Sequence, residues 1–172
     1  YELESLKFCS KINVDALKIH VADISNYDFL ASVGEERKRV DLSIGACTIA
    51  EILDASNILK ANGCPEIWLM YGLQNFPTPA GDVDLKYLKN LERLTGFRSG
   101  YQDHSDPENI TSFSMPAAAI GLGINIIEKH LTHDRSLKGA DYQAALNPDE
   151  FSTFMEMVRD IDQATSGGTV RP

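Results

Sequence analysis

The chain has 172 residues, 43% of them hydrophobic and 24% charged, an ordinary globular composition that excludes disordered and fibrous classes. Its formal charge of −9 is spread without a basic stripe, which argues against nucleic acid as a partner. No apolar run is long enough to span a bilayer and no basic n-region precedes an apolar stretch, so the expectation is a soluble, cytoplasmic protein with no membrane partner.

Taken in chain order, apolar periodicity alternates between short β-like runs and longer helical ones, the pattern of βα units around a parallel sheet. Strands are expected at residues 16–21, 39–43, 66–71, 97–102 and 124–130, their starts recurring about every 25 to 30 residues, as one strand plus one covering helix requires. Thr48-Ile49-Ala50-Glu51 reads as a capping box, followed by an apolar stripe at Ile49, Ile52, Leu53 and Leu59 that Gly63 ends. Asn147-Pro148-Asp149-Glu150 combines a cap, a first-turn proline and two acids suited to the helix dipole, ahead of Phe151, Phe154, Met155 and Val158. Residues 166–172, rich in Gly and Ser, read as an exit linker. Cys9, Cys47 and Cys64 form no C-x-x-C pair and read as reduced, buried small hydrophobes. Five βα units are too few to close an eight-stranded barrel of about 250 residues. The sheet is therefore either open and doubly wound, or part of a barrel whose other strands lie outside these residues.

Parallel α/β folds keep their chemistry at the C-terminal ends of the strands. Two histidines follow successive strands there, His104 after Tyr101-Gln102-Asp103 and His130 after Ile127-Glu128-Lys129. With a strand period of two, Gln102 shares a face with His104, and Glu128 with His130, so the imidazoles can converge over one sheet edge. Such a pair suits a divalent ion with open positions, or else two hydrogen-bonded strand-end histidines. His20 and His133 read as satisfied or solvated side chains. Lys18 stands in the apolar run Ala16-Leu17-Lys18-Ile19, where a buried ammonium needs an anion, a Schiff-base role, or a salt bridge to Asp23 or Glu128. Ser43, at a strand end before the Thr48 cap, is either an anion contact or a turn cap. Asp103, Glu128, Asp134 and Asp141 are candidate acids for proton transfer, histidine orientation or sugar hydroxyls. Phe76 is either an aromatic wall of a sugar pocket or a loop residue folded onto the core.

Four blocks together resemble the sialic acid synthase family: Tyr101-Gln102-Asp103-His104-Ser105; Ala117-Ala118-Ala119-Ile120-Gly121-Leu122-Gly123; Ile127-Glu128-Lys129-His130-Leu131-Thr132-His133-Asp134-Arg135; and Gly139-Ala140-Asp141. Leu17-Lys18-Ile19, Leu42-Ser43-Ile44-Gly45 and Phe76-Pro77-Thr78-Pro79 are similar to that family's strand ends upstream. The resemblance implies a (β/α)₈ TIM barrel of which residues 1–165 supply about the last five βα units, strands four to eight. Residues 166–172 would then lead toward a C-terminal antifreeze-like domain, and the piece alone would be inactive.

It further implies condensation of phosphoenolpyruvate with N-acetylmannosamine or a related amino-sugar aldehyde, by a homodimer of the intact parent. His104 and His130 would bind the divalent ion, Mn²⁺ or Mg²⁺. Lys18 and Ser43 would hold phosphoenolpyruvate. Gln74, Phe76 and Gln102 would stand near the substrates, Asp141 would take sugar hydroxyls, and Asp23 and Glu128 would be catalytic. Val21, Gln102, Gln74, Phe76 and Ala140 depart from the family's serine, serine, asparagine, tyrosine and proline, which leaves the sugar open. The rival readings are another phosphoenolpyruvate-condensing or aldolase-type barrel, and a non-catalytic half-barrel assembly module.

Overall fold

The computed structural model describes residues 2–165; the expected linker at 166–172 lies outside them. The chain divides into two compact units, Tyr1–Tyr71 with Leu91–Ser99 and Gly72–Asn90 with Gly100–Pro172.

In the first unit β1 (Ala16–Ile19), β2 (Arg39–Ser43) and β3 (Ile67–Tyr71) run parallel, with Leu17 opposite Val40 and Ile19 opposite Leu42, then Val40 opposite Ile67 and Leu42 opposite Leu69. These six side chains form one buried apolar face, and α2 (Tyr27–Glu35) and α3 (Ile49–Ala61) bring matching stripes from Leu30, Val33, Ile52, Ala55 and Leu59. The expected capping box at α3 is present in both directions: Thr48 Oγ1 accepts from the Glu51 N–H at 3.3 Å, and Glu51 accepts from the Thr48 N–H at 2.8 Å. The two helices meet closely at Gly34, where a Cβ would stand 2.8 Å from both Asn62 Cβ and Leu59 O. α1 (Leu3–Lys11) precedes β1.

In the second unit β4 (Arg98–Asp103), which begins in the first, pairs parallel with β5 (Ile127–Leu131). β5 in turn pairs with a two-residue β6 (Ala145–Leu146). α4 (Leu85–Thr95), α5 (Thr111–Gly121) and α6 (Pro148–Thr165) complete the elements. The core here includes Tyr101, Ala119, Ile120, Ile124, Leu146 and Phe154, with Phe113 and Phe151 ring centroids 6.1 and 6.0 Å from that of Phe154.

Several expectations are corrected. β1 stops at Ile19 because Val21–Asp23 turn into a 3₁₀ segment that His20 caps, its Nδ1 accepting from the Ala22 N–H at 3.1 Å. The expected strand 124–130 shifts to Ile127–Leu131, since Gly123 at φ +86 leads into a buried Ile124 that packs as core before the ladder starts. β6 was not expected at all, being too short to show alternation. Asn147 stands at the N-terminus of α6 as expected, its carbonyl accepting from the Phe151 N–H at 2.8 Å and its N–H donating to Glu150 at 2.7 Å, while its side-chain Oδ1 accepts from the Arg135 N–H at 2.8 Å. All three cysteines are free, but only Cys64 is buried, Cys9 and Cys47 being half-buried. No described helix is long and apolar enough to cross a membrane.

Candidate functional site

Strand ends in the second unit build a cluster of three rings. His104 immediately follows β4 and is buried, and His130 is the fourth residue of β5. Their ring centroids lie 5.1 Å apart, and Phe76 stands 4.4 Å from His104 and 5.6 Å, edge-on, from His130. The convergence expected from strand parity is thus present. Phe76 backs the histidines from the loop that contains the cis peptide Phe76-Pro77.

His104 is held on several sides. Its Nδ1 lies 2.6 Å from Leu73 O; because a carbonyl can only accept, Nδ1 carries the proton and the Nε2 lone pair is left available. Its own carbonyl accepts from the Thr78 N–H at 2.8 Å. Burial, the largest influence, holds the imidazole below its ordinary pKa, with the Leu73 carbonyl opposing and His130 assisting. A histidine kept neutral in the fold but protonated when unfolded contributes stability above about pH 6.5 that is lost as pH falls from there toward the folded value. On the other ring, His130 Nδ1 is 3.9 Å from Asp141 Oδ2, with Asp141 exposed in the left-handed region at φ 54.

The spacing of this pair is compatible with a shared divalent ion. With a metal–nitrogen bond of about 2.1 Å and the ring centroid about 1.1 Å further on, two imidazoles sharing an ion at roughly 90–110° place their centroids about 4.5–5.2 Å apart, which includes the observed 5.1 Å. Among the described residues no third His, Cys, Asp or Glu joins them in a metal-holding cluster, so further ligands would be water or substrate oxygens.

Two residues before each histidine, Gln102 Nε2 donates to Glu128 Oε1 at 3.0 Å. Gln102 is 2% exposed, and its Oε1 is buried with no hydrogen-bond partner among the described residues. A close approach at Gly72 pins this glutamine: a Cβ there would meet Gln102 O at 2.4 Å and Gln102 Cβ at 2.6 Å, so only glycine fits. Sequence reading missed Gly72, which no motif marks. Gln74 is exposed in the next loop.

Asp103 is removed from the list of candidate acids. It is fully buried, accepts from Tyr101 Oη at 2.9 Å and Ser105 Oγ at 2.5 Å, and pairs with Lys129. Lys129 was also missed, because in the sequence it reads only as part of a motif and its burial depends on its neighbours. Arg135 is likewise structural: its guanidinium grips Glu150 at 2.5 and 2.9 Å, holding that carboxyl below its usual range. His133 and Asp134 are exposed in the same loop, as expected.

In the first unit, Lys18 is exposed while its neighbours Leu17 and Ile19 are 8% and 4% exposed. The expectation of a buried ammonium is therefore wrong, since β1 alternates and Lys18 points off the apolar face. Lys18, Ile19, His20 and Asp23 line a cavity of about 260 Å³. Ser43, at the end of β2, is fully buried with its Oγ unpartnered among the described residues.

The polar and imidazole side chains stand at the C-terminal ends of parallel strands, where (β/α)-barrel proteins keep their sites. The model of the NeuB family matches residues 1–170, and the chain belongs to that family. It is 31% identical over 170 residues to N,N'-diacetyllegionaminic acid synthase of Campylobacter jejuni, covering 98% of this chain and 49% of that protein. Among solved structures, the N-acetylneuraminic acid synthetase of Leptospira borgpetersenii in complex with citrate superposes with a TM-score of 0.87 at 30% identity, covering all of this chain and 58% of that one. A spore coat polysaccharide biosynthesis protein of Bacillus subtilis does so with a TM-score of 0.89 at 26% identity, covering 100% and 47%. The chain spans about half the length of the curated relatives it matches, 49% of the Campylobacter synthase. The fold class is thus α/β, part of a (β/α)₈ barrel.

Proposed function

We propose that the protein containing this chain condenses phosphoenolpyruvate with an N-acetylmannosamine-like amino-sugar aldehyde. The methylene carbon of phosphoenolpyruvate bonds to the aldehyde carbon, water adds at C2, and the C2–O bond to phosphate breaks. The products are a nine-carbon 2-keto-3-deoxy acid and inorganic phosphate. The observation that carries this reading is the pair of strand-end imidazoles at 5.1 Å in a chain of the NeuB family. A divalent ion bound there, Mn²⁺ or Mg²⁺, would supply Lewis-acid polarisation of the aldehyde oxygen.

The chain's own groups do the rest. His104 presents a neutral Nε2 because Leu73 O holds Nδ1–H, and Phe76 shields both rings from water on one side. Glu128, held by the Gln102 amide, would accept a proton from the attacking water. Gln102 Oε1, buried and unpartnered among the described residues, is suited to a substrate hydroxyl or amide N–H once a small side-chain rotation exposes it. Asp141 would take sugar hydroxyls beside His130, and Gln74 stands in the loop that carries Phe76. Lys18 and Asp23 line one cavity, where the exposed ammonium would receive the anionic substrate. Ser43 Oγ has hydrogen-bonding capacity to spare. Such an enzyme would work in the cytoplasm as a homodimer.

The test is phosphate release by the full-length protein given phosphoenolpyruvate and Mn²⁺, with N-acetylmannosamine, its 6-phosphate and a diacetamido analogue supplied in turn. Release that needs one of these aldehydes and yields a 2-keto-3-deoxy acid is expected. Phosphate release independent of the sugar, or a borohydride-trapped imine at Lys18, would overturn the reading in favour of another chemistry.

A further inference from the structure

The buried ion pair Lys129–Asp103 takes no part in the chemistry above, yet it stands one residue before each histidine. In the parallel ladder Asp103 is directly opposite Lys129. Side chains alternate along a strand, so Asp103 and Lys129 leave the sheet on the face opposite the imidazoles that follow them. Their side chains are 0% and 2% exposed. Asp103 Oδ1 accepts from Tyr101 Oη at 2.9 Å and from Ser105 Oγ at 2.5 Å, while Oδ2 takes the Lys129 ammonium. The carboxylate thereby ties together the Tyr101 and Ser105 side chains on either side of His104 in sequence, and its pairing with Lys129 joins that group to the strand that carries His130. On the imidazole face a second tie, Gln102 Nε2 to Glu128 Oε1 at 3.0 Å, joins the same two strands.

A buried pair of this kind is a poor source of stability, because desolvating both charges offsets most of their attraction, and an apolar pair of similar volume often serves as well or better. What it supplies is registry, since the charges have one satisfactory partner each and a slipped strand leaves both unpaired. We propose that Lys129 and Asp103 are positioning residues that set the separation and aim of His104 and His130, so that the two imidazoles meet one divalent ion. The proposal rests on the metal-binding reading of that pair and assigns to the opposite face of the sheet the task of holding it in register.

The experiment compares the full-length protein with Lys129→Met, with the double variant Asp103→Asn/Lys129→Met, and with His104→Ala. Mn²⁺ affinity is measured by electron paramagnetic resonance on metal-stripped protein, and thermal stability on the same metal-free samples. Lys129→Met alone leaves a buried carboxylate unpaired and is expected to lose both stability and affinity. The double variant is the decisive one. Its melting temperature is expected to return toward that of the parent, while Mn²⁺ affinity stays about 10-fold to 100-fold weaker, the usual cost of losing a partner behind a ligand. A double variant that melts like the parent and binds Mn²⁺ equally well would overturn the proposal, leaving the pair a packing feature only. So would a double variant that remains both unstable and weak-binding, since lost folding would then explain lost affinity. If the parent binds no Mn²⁺, or His104→Ala binds as tightly as the parent, it is the metal-site reading itself that fails.

Discussion

The imidazole cluster of the second unit and the Lys18 cavity of the first are built on different principles. His104 is buried, bonded through Nδ1 and through its carbonyl, and packed against Phe76. Lys18 stands exposed on a four-residue strand, with Asp23 in the 3₁₀ turn beyond it. The first arrangement fixes angles before any ligand arrives, which directional coordination requires. The second leaves an ammonium exposed at the surface, which is enough to gather an anion without directional demands. Geometry is stored where the proposed chemistry is directional, and left open where it is electrostatic.

Replacing a member of the rigid cluster should therefore be the more damaging change. For His104→Ala in the full-length protein, bound Mn²⁺ measured by elemental analysis should fall to background and the condensation rate by more than about 100-fold, beyond the range typical of losing a residue behind a ligand. His133→Ala, exposed in its loop, should keep both. Retention of ion and full rate by His104→Ala would erase the contrast between the two regions.

Lys18→Met probes the open region. Because the ammonium is exposed, its melting temperature should be unchanged while KM for phosphoenolpyruvate rises about 10-fold and that for the sugar hardly moves. An equal rise in both would mean that Lys18 shapes the site and does not simply collect the anion.

Gly72→Ala tests whether rigidity in the second unit reaches down to the backbone. A methyl group 2.4 Å from Gln102 O has no flexible side chain to push aside, and an overpacking cost of about 1–3 kcal/mol is expected, read as a lowered denaturant midpoint. An unchanged midpoint would show that β4 can yield there.

The smallest effect concerns the Arg135–Glu150 pair. Glu150's carboxyl is held below its ordinary range by Arg135, so its contribution is present above about pH 4.3, the unfolded glutamate value, and is lost as pH falls through the folded one. Glu150→Gln should cost less than about 1 kcal/mol near neutrality, as partly exposed pairs do, and the two stability curves should converge in acid. Curves that stay parallel down to the acid limit would count against an electrostatic role.

Much of this was legible in the sequence because it depends on local rules. The Thr48–Glu51 box, the strand parity that sets Gln102 with His104, and the apolar stripes of α3 and α6 are each readable within a few residues. Lys18 was misread because composition places it among apolar neighbours, while burial follows alternation and only one face of β1 is covered. Gly72, Lys129 and β6 were illegible for a common reason: each is defined by what another segment does. Gly72 matters because Gln102 passes over it, Lys129 is buried because Asp103 waits opposite, and Ala145–Leu146 form a strand only because His130 and Leu131 offer a ladder.

The chain's single tryptophan lies in the first unit, with the Arg39 guanidinium 3.8 Å and that of Arg98 5.4 Å from its ring centroid, and its indole N–H donating to Glu66 at 2.6 Å. Intrinsic fluorescence excited at the indole therefore watches one unit alone. An emission-monitored melt would report when that cationic stack comes apart and stay blind to the histidine cluster. Whether the two units unfold together has to be asked with a second probe, such as far-ultraviolet circular dichroism, and coincidence of the two curves is what would license a single folding free energy for the chain.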